Sequence, residues 1–419
     1  MNNSQYFSLR NEIGFALMLI GVQTGTAIRN VFGIELVNII MATSVLCVMN
    51  FRNAFSFKFP CWNSLFLLIW IFQIIELIYS VNCRADISTY IPMHYYLLSI
   101  TFALSSQNKG LDFRYSDVIF MYLSSFISIV VAFQATHGFV GVYTTNEFYQ
   151  ADIGASQLEQ GGDKITMGRA LLFSVICSIV YKRRLIWELF VKVAVIACSF
   201  VGLMMFNTRA SMIVSIVCLL LYIIKKSQLI SGAAFLSKRT FNLIFKYALF
   251  VTALLLIVYI QIDYVHEMVD NLFYNFTRGV LTLFGDNSFG EDQSTIYRHT
   301  VMRKISQTET SIGELLFGHG YYTIYIDIPM YQAFYDFGIF GILYFIILGY
   351  IPTKYILKYN TSKVPVMIIL LFAVQYLLDQ AYCGLPYFFF QFIPIILLVF
   401  FYNNNNSNYE SVSIPSTSR

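Results

Sequence analysis

The sequence predicts an all-α polytopic membrane protein with about twelve transmembrane helices, and three observations carry that prediction. Of the 419 residues, 57% are hydrophobic and only 12% are charged, about half the charged share of a soluble domain. The apolar residues gather in runs of roughly 20, the length a helix needs to cross a bilayer. The charged residues gather between those runs, above all in the interval 263–328, which holds Arg278, Arg298, Arg303, Lys304 and most of the acids of the second half.

The expected spans are centred near Ile20, Ile40, Ile71, Ser99, Ser125, Val175, Ile196, Ile216 and Leu254, then near Leu343, Leu371 and Pro394. The first run, from Ile13, has no small-residue cleavage site after it and is expected as a span rather than a removable leader. Residues 1–262 thus carry nine spans, with a shorter polar loop near 137–168. A long loop with interfacial helices follows at 263–328, then three spans at 329–402 and a polar, disordered tail at 403–419.

Orientation follows from the basic residues of the short loops. With the N-terminus inside, the cytoplasmic loops collect Arg52, Lys58, Lys109, Arg114 and the run Lys182–Arg184. They also collect Lys225, Lys226, Lys238, Arg239, Lys246, Lys354, Lys358 and Lys363. The opposite orientation would put the densest basic clusters outside. Both termini are therefore expected in the cytoplasm, and both long loops on the outer face. The net charge of +4 excludes little, because position matters more than sum in a membrane protein.

A loop of this length is functional or partly folded rather than a plain connection. Within it Met268, Val269, Leu272, Phe273, Phe276, Val280 and Leu281 recur at helical spacing, as in a helix lying on the outer leaflet. The seven cysteines show no CxxC spacing and read as small buried hydrophobes. His266-Glu267 lacks the second histidine of a zinc helix. The acids near Asp286 lack calcium-loop spacing, and no glycine loop for a nucleotide is present, so neither a metal nor a cofactor is expected.

Four outer-face arginines stand out. Arg169 is expected to open the sixth span and Arg209 the eighth, while Arg298 and Arg303 lie in the long loop. An arginine near a bilayer is costly and commonly meets an anion, and its planar fork pairs bidentately with phosphate. Helix N-termini at Ala170 and Ala210 would add the positive end of a dipole. The plain alternative is snorkelling to the interface. Arg298 and Arg303 would point about 140° apart on one helix and so are not expected to grip one phosphate. Asp327 precedes Pro329, as a helix N-cap would, or as a general base at the membrane surface would. Tyr331 and Tyr335 follow on one helical face, and Tyr322 precedes. Tyrosines stack on sugars, and they also populate interface belts.

From Leu315 to Gly341 the chain resembles the bacterial O-antigen ligase and polymerase superfamily, through the turn Gly318-His319-Gly320 and the pair Gly338-Ile339-Phe340-Gly341. Asn207-Thr208-Arg209-Ala210-Ser211 looks like the family's Ser/Thr-Arg-small element. Arg298 and Arg169 look like its loop arginine and its mid-chain arginine. The ligase branch opens its late helix with His-Asn, where this chain has Asp327-Ile328, so the Wzy-type polymerase branch fits better. The resemblance implies a glycosyltransferase of GT-C-like architecture that extends a glycan on undecaprenyl pyrophosphate at the periplasmic face of the inner membrane. In that reading Asp327 and Arg298 are catalytic, and Arg209, Arg169, Arg303, His319, Tyr322 and Tyr331 bind substrate. The partners implied are lipid-linked glycans and a chain-length regulator in the inner membrane, with no nucleic acid. A ligase, or a flippase of the lipid-linked unit, is the alternative. Charges clustered at one face beside a long loop favour surface chemistry over transport, which concentrates charge at mid-bilayer.

Overall fold

Two helices joined by a single glycine start the bundle. In the computed structural model α1 (Asn3–Phe32) and α2 (Ile34–Val48) flank Gly33, whose φ of 90° turns the chain back on itself. Gly14 lies against Cys47 and Ser44, Gly21 against Met41, and Gly25 against Val37. One numbering sum thus holds along the pair, as an antiparallel hairpin requires. A Cβ on Gly14 would sit 2.5 Å from the Cβ of Cys47, so small residues on one face set how near the backbones come, as in membrane helix pairs.

The structure describes residues 3–60, 64–80, 91–107, 121–127, 155–181, 185–205, 209–231, 311–320, 329–358 and 366–374. It also describes single positions at 130, 242, 326, 376 and 377 and a scatter between 266 and 305. Every regular element among the described residues is helical. After the hairpin come α3 (Phe51–Phe55), α4 (Ser64–Ser80), α5 (Ile91–Ser105), α6 (Ala155–Val180), α7 (Trp187–Met205) and α8 (Arg209–Ser231). Then follow α9 (Ile312–Phe317), α10 (Pro329–Lys358) and α11 (Val366–Val374). Two described segments, Trp187–Met204 and Met330–Ile351, are long and apolar enough to cross a membrane. Glu35–Val48, Met167–Val180 and Ala210–Lys225 are shorter apolar helices.

α6 forms the centre. It packs against α1, α7, α8 and α11, and its stretch from Ala170 to Cys177 is buried throughout. Ser174 donates to the carbonyl of Ser124 at 2.9 Å, tying α6 to the helical stretch 121–127. Two sequence expectations change here. Residues 155–168, expected as outer loop, are the first turns of α6, and Lys225, expected in a loop, is a buried residue of α8. In both places the helix continues past the apolar window, and at Lys225 the polar position that a hydropathy window rejects is buried.

A polar knot closes one end of the bundle. Asn11 of α1 donates to Gln107 at 3.0 Å, and Gln107 in turn donates to the carbonyl of Val48. The Asn50 N–H donates to the Ser106 hydroxyl at 2.9 Å, and Asn53 donates to the Ser106 carbonyl at 2.7 Å. Arg10 donates to the Met49 carbonyl at 3.1 Å. The start of α1, the end of α2 and the end of α5 therefore meet at one level. Buried backbone groups freed at helix ends need such partners.

Candidate functional site

The motif residues assemble around a break in α10. Gly338 has φ 63° and ψ −146°, outside the helical region. A continuous helix would satisfy the Tyr335 and Asp336 carbonyls from the N–H groups four residues on. The break releases both carbonyls, and the loop after α9 takes them. The His319 N–H donates to the Tyr335 carbonyl at 2.8 Å, and the Gly320 N–H donates to the Asp336 carbonyl at 3.3 Å. The bend is sharp. Residues eight apart in a straight helix lie about 12 Å apart along its axis, yet a Cβ on Gly341 would collide with the carbonyl of Ala333.

The glycines interlock across this contact. Gly318, at φ 78° and ψ −177°, occupies a region essentially reserved for glycine, and a Cβ there would fall on the Asp336 carbonyl. Conversely, a Cβ on Gly338 would lie 2.5 Å from the Leu316 carbonyl carbon and 2.6 Å from the Leu315 oxygen. Phe317 and Phe340 stack at 5.7 Å beside the contact. Phe72 of α4 packs on both sides of the bend, 5.3 Å from Phe337 and 3.6 Å from Tyr344. This anchors the elbow to the main bundle.

α9 is short and depends on its cap. The Ser311 hydroxyl accepts from the Glu314 N–H at 3.2 Å, and the Glu314 carboxylate accepts from the Ser311 N–H at 2.8 Å, a reciprocal capping box. The carboxylate also faces His319 Nδ1 at 3.3 Å. These contacts, the Ser311 backbone first, hold the Glu314 carboxyl below its ordinary range. The imidazole of His319 lies 4.4 Å from the Tyr335 ring, so both faces of the Gly-x-Gly turn are fixed.

Under the elbow sits a second contact. Val301, Ile326 and Tyr335 form a buried apolar cluster with Ile305. The side chain of Gln332 accepts from the Ile326 N–H at 2.6 Å and donates to Asp336 Oδ1 at 2.8 Å. Gln332 and Asp336 are 1% and 2% exposed, a level at which polar groups are kept only when hydrogen-bonded.

The sequence-predicted residues fare unequally. His319 belongs to the elbow. Tyr331 lies on the first arm of α10 and is 45% exposed, whereas Tyr335, expected on the same face, is buried in the apolar cluster. The bend explains the split, since residue 335 lies where the loop docks. Arg303 is exposed on the helical positions that bring Val301 to the cluster. Arg209 is the first residue of α8, as expected for a helix N-terminus, and its side chain lies outside the described residues. Arg169 departs from expectation. It lies several turns inside α6, away from the N-terminus of that helix, with its guanidinium nitrogens buried. The dipole of its own helix start does not reach it there. Asp327, Arg298 and Tyr322 lie outside the described residues. The positions expected to form an interfacial helix are helical where described, and Phe273 on it is 69% exposed.

Gln332 and Asp336 escaped the sequence reading. Their signal was present: two polar residues four apart on an apolar helix share one face. No family model, curated protein or solved structure matches the chain.

Proposed function

We propose that the chain is a multi-pass membrane glycosyltransferase that polymerises lipid-linked oligosaccharide units, with about twelve spans and both termini in the cytoplasm. The observation that carries the reading is the elbow. The Gly-x-Gly turn and the Gly-x-x-Gly pair, which lie on separate elements, meet backbone to backbone. Their meeting supports a built site at the start of the late helix, where Asp327 follows the anchored Ile326. The polar knot supports the alternating topology, because that topology puts the start of the first span and the ends of the second and fourth on one side.

In this reading the donor glycan rides on undecaprenyl pyrophosphate at the outer leaflet. Asp327 takes the proton of an acceptor sugar hydroxyl, the oxygen attacks the anomeric carbon, and the bond to the pyrophosphate breaks. Arg209 and Arg298 meet the charge that develops on the leaving group, and Arg303 binds substrate apart from that phosphate. Arg169, on α6 with its guanidinium nitrogens buried, joins Arg209 and Arg298 in this reading as a substrate-binding residue. His319, Tyr322 and Tyr331 offer ring faces for sugars.

The test is a surface-polysaccharide gel from cells lacking the protein, complemented with wild type, Arg209→Ala, Arg298→Ala or Asp327→Ala at matched membrane levels. A deletion that leaves a core bearing one repeat unit, with no ladder from the variants, is the expected result. Loss of even the single unit would point to a ligase or flippase. A full ladder from all three variants would remove these residues from the site.

A further inference from the structure

We infer that the elbow lies in the outer part of the membrane's apolar layer and that α9 is a re-entrant segment seated against acyl chains. The leaflet is the one remote from Lys354, and the inference rests on α10 as a membrane span, not on the polymerase reading. The length of α10 carries the first half of the argument. Its apolar window, Met330–Ile351, is long enough to cross a bilayer as one straight rod, but the bend at Gly338 divides it. The arms fold so sharply, with the Ala333 carbonyl against Gly341, that the first does not prolong the second. From Ile339 to Lys354, the charged residue beyond that window, the second arm rises about 22 Å. The hydrocarbon core is about 30 Å thick. With Lys354 at one boundary, the elbow is left about 8 Å short of the other. Even when the lysine stem reaches back to its boundary, the elbow stays within the core.

Non-helical backbone at that depth is tolerated only where protein satisfies its polar groups, and here it does. The Tyr335 and Asp336 carbonyls freed by the break accept from His319 and Gly320. In α9 the Leu315 N–H donates to the Ser311 carbonyl and the Gly318 N–H to the Glu314 carbonyl, while the capping box serves the first turn.

The exposed surface supplies the second half. Ile339, Leu343, Ile346 and Tyr350 are exposed along the second arm at the spacing of a single helical face. Phe340 flanks that stripe, and its stack with Phe317 carries the apolar surface across onto α9. There Ile312, Leu315 and Leu316 fall within about 100° of the helix circumference. All three are exposed, Ile312 by 79%. Glu314 lies on the far side of the helix, bonded to Ser311 and facing His319. One short helix thus has an apolar face continuous with the spanning arm and a polar edge turned to the head groups, the pattern of a segment seated in a leaflet. The continuity selects the occupant. The acyl chains that surround the stripe of the second arm reach α9 without a gap.

The experiment uses the full chain in nanodiscs of phosphatidylethanolamine and phosphatidylglycerol. The ketone-bearing amino acid p-acetylphenylalanine replaces one exposed residue at a time: Ile312, Leu316, Leu343 or Leu357. Each is coupled to a hydroxylamine nitroxide, which leaves the native cysteines untouched. Relaxation of the label by oxygen, which concentrates among acyl chains, is compared with relaxation by a water-soluble nickel chelate. Leu357 lies beyond Lys354 and serves as the boundary reference, and Leu343 reports on the spanning arm. The oxygen-to-nickel ratio is expected to exceed the Leu357 value severalfold at Ile312 and Leu316, and to be highest at Leu343.

Ratios at Ile312 and Leu316 no higher than at Leu357, beside a high ratio at Leu343, put α9 in water and overturn the inference alone. A high ratio at only one α9 site overturns it as well, because the apolar arc holds both. A low ratio at Leu343 removes α10 as a span and the inference with it. Low access of both reagents at α9, with spectral broadening that vanishes on dilution by unlabelled chains, identifies a second copy as the occupant and overturns it too.

Discussion

Replacing Gly338 by alanine tests the elbow at its weakest tolerance. The backbone there has φ 63° and ψ −146°, a region that costs an L-residue about 1–3 kcal/mol. The added Cβ would also sit 2.5 Å from the Leu316 carbonyl carbon, and forced crowding of this kind costs about 1–3 kcal/mol. The chain has one escape, which is to let α10 run straight through residue 338. The carbonyls of Tyr335 and Asp336 would then be taken by their own helix. The His319 and Gly320 amides would lose their partners, at about 1 kcal/mol each. Strained or straightened, the docked loop loses at least about 2 kcal/mol, or roughly 30-fold in its opening equilibrium. Amide exchange at His319 and Gly320, measured on the protein in nanodiscs, reads this directly. Rates in Gly338→Ala within about threefold of wild type, well under the ~1.4 kcal/mol that a tenfold change represents, would refute the interlock.

Other outcomes follow from the same contacts. Gly313→Ala, on the exposed side of α9 with only the Ser311 hydroxyl near, at 3.9 Å, should stabilise that helix by about 0.5–1 kcal/mol, read as slower exchange at Leu315. Gly14→Ala should lower the denaturation midpoint by separating α1 from α2, at a cost of about 1–3 kcal/mol. Cys47→Gly should recover part of it by removing the opposing Cβ. Because the capping box lowers the Glu314 carboxyl below its unfolded value, its stabilisation is present above about pH 4.3 and is lost as pH falls through the folded value. Ser311 amide protection should follow that course, and Glu314→Gln should remove the pH dependence. In the polymerisation assay Asp327→Asn should slow extension by about 10²–10⁴-fold, the usual contribution of a general base.

The two glycine motifs were legible as motifs, but the reason for their spacing was not. Nothing in a linear reading says that Gly338 interrupts a helix whose flanks are all helix-compatible, because the interruption gains stability only once a second backbone arrives to use the freed carbonyls. Gln332 and Asp336 were hidden for the same reason, as polar residues on an apolar face whose partner, the Ile326 N–H, is supplied by the chain before the helix. Arg169 misled in the opposite direction. Its neighbours Gly161, Gly162 and Asp163 read as loop, yet the stretch is helical within α6.

By itself the sequence determined the helical class and most helix positions. Runs of apolar residues carry their own instruction, since a backbone in an apolar surrounding must satisfy its hydrogen bonds internally. The α1–α2 face was not read from the sequence: that Gly14, Gly21 and Gly25 lie against α2 is shown by the structure. The tertiary structure alone decided where α10 bends, which of Tyr331 and Tyr335 is buried, and what holds the backbone before Asp327. Each of these depends on a second segment of the chain meeting α10, and local sequence preference carries no term for that segment.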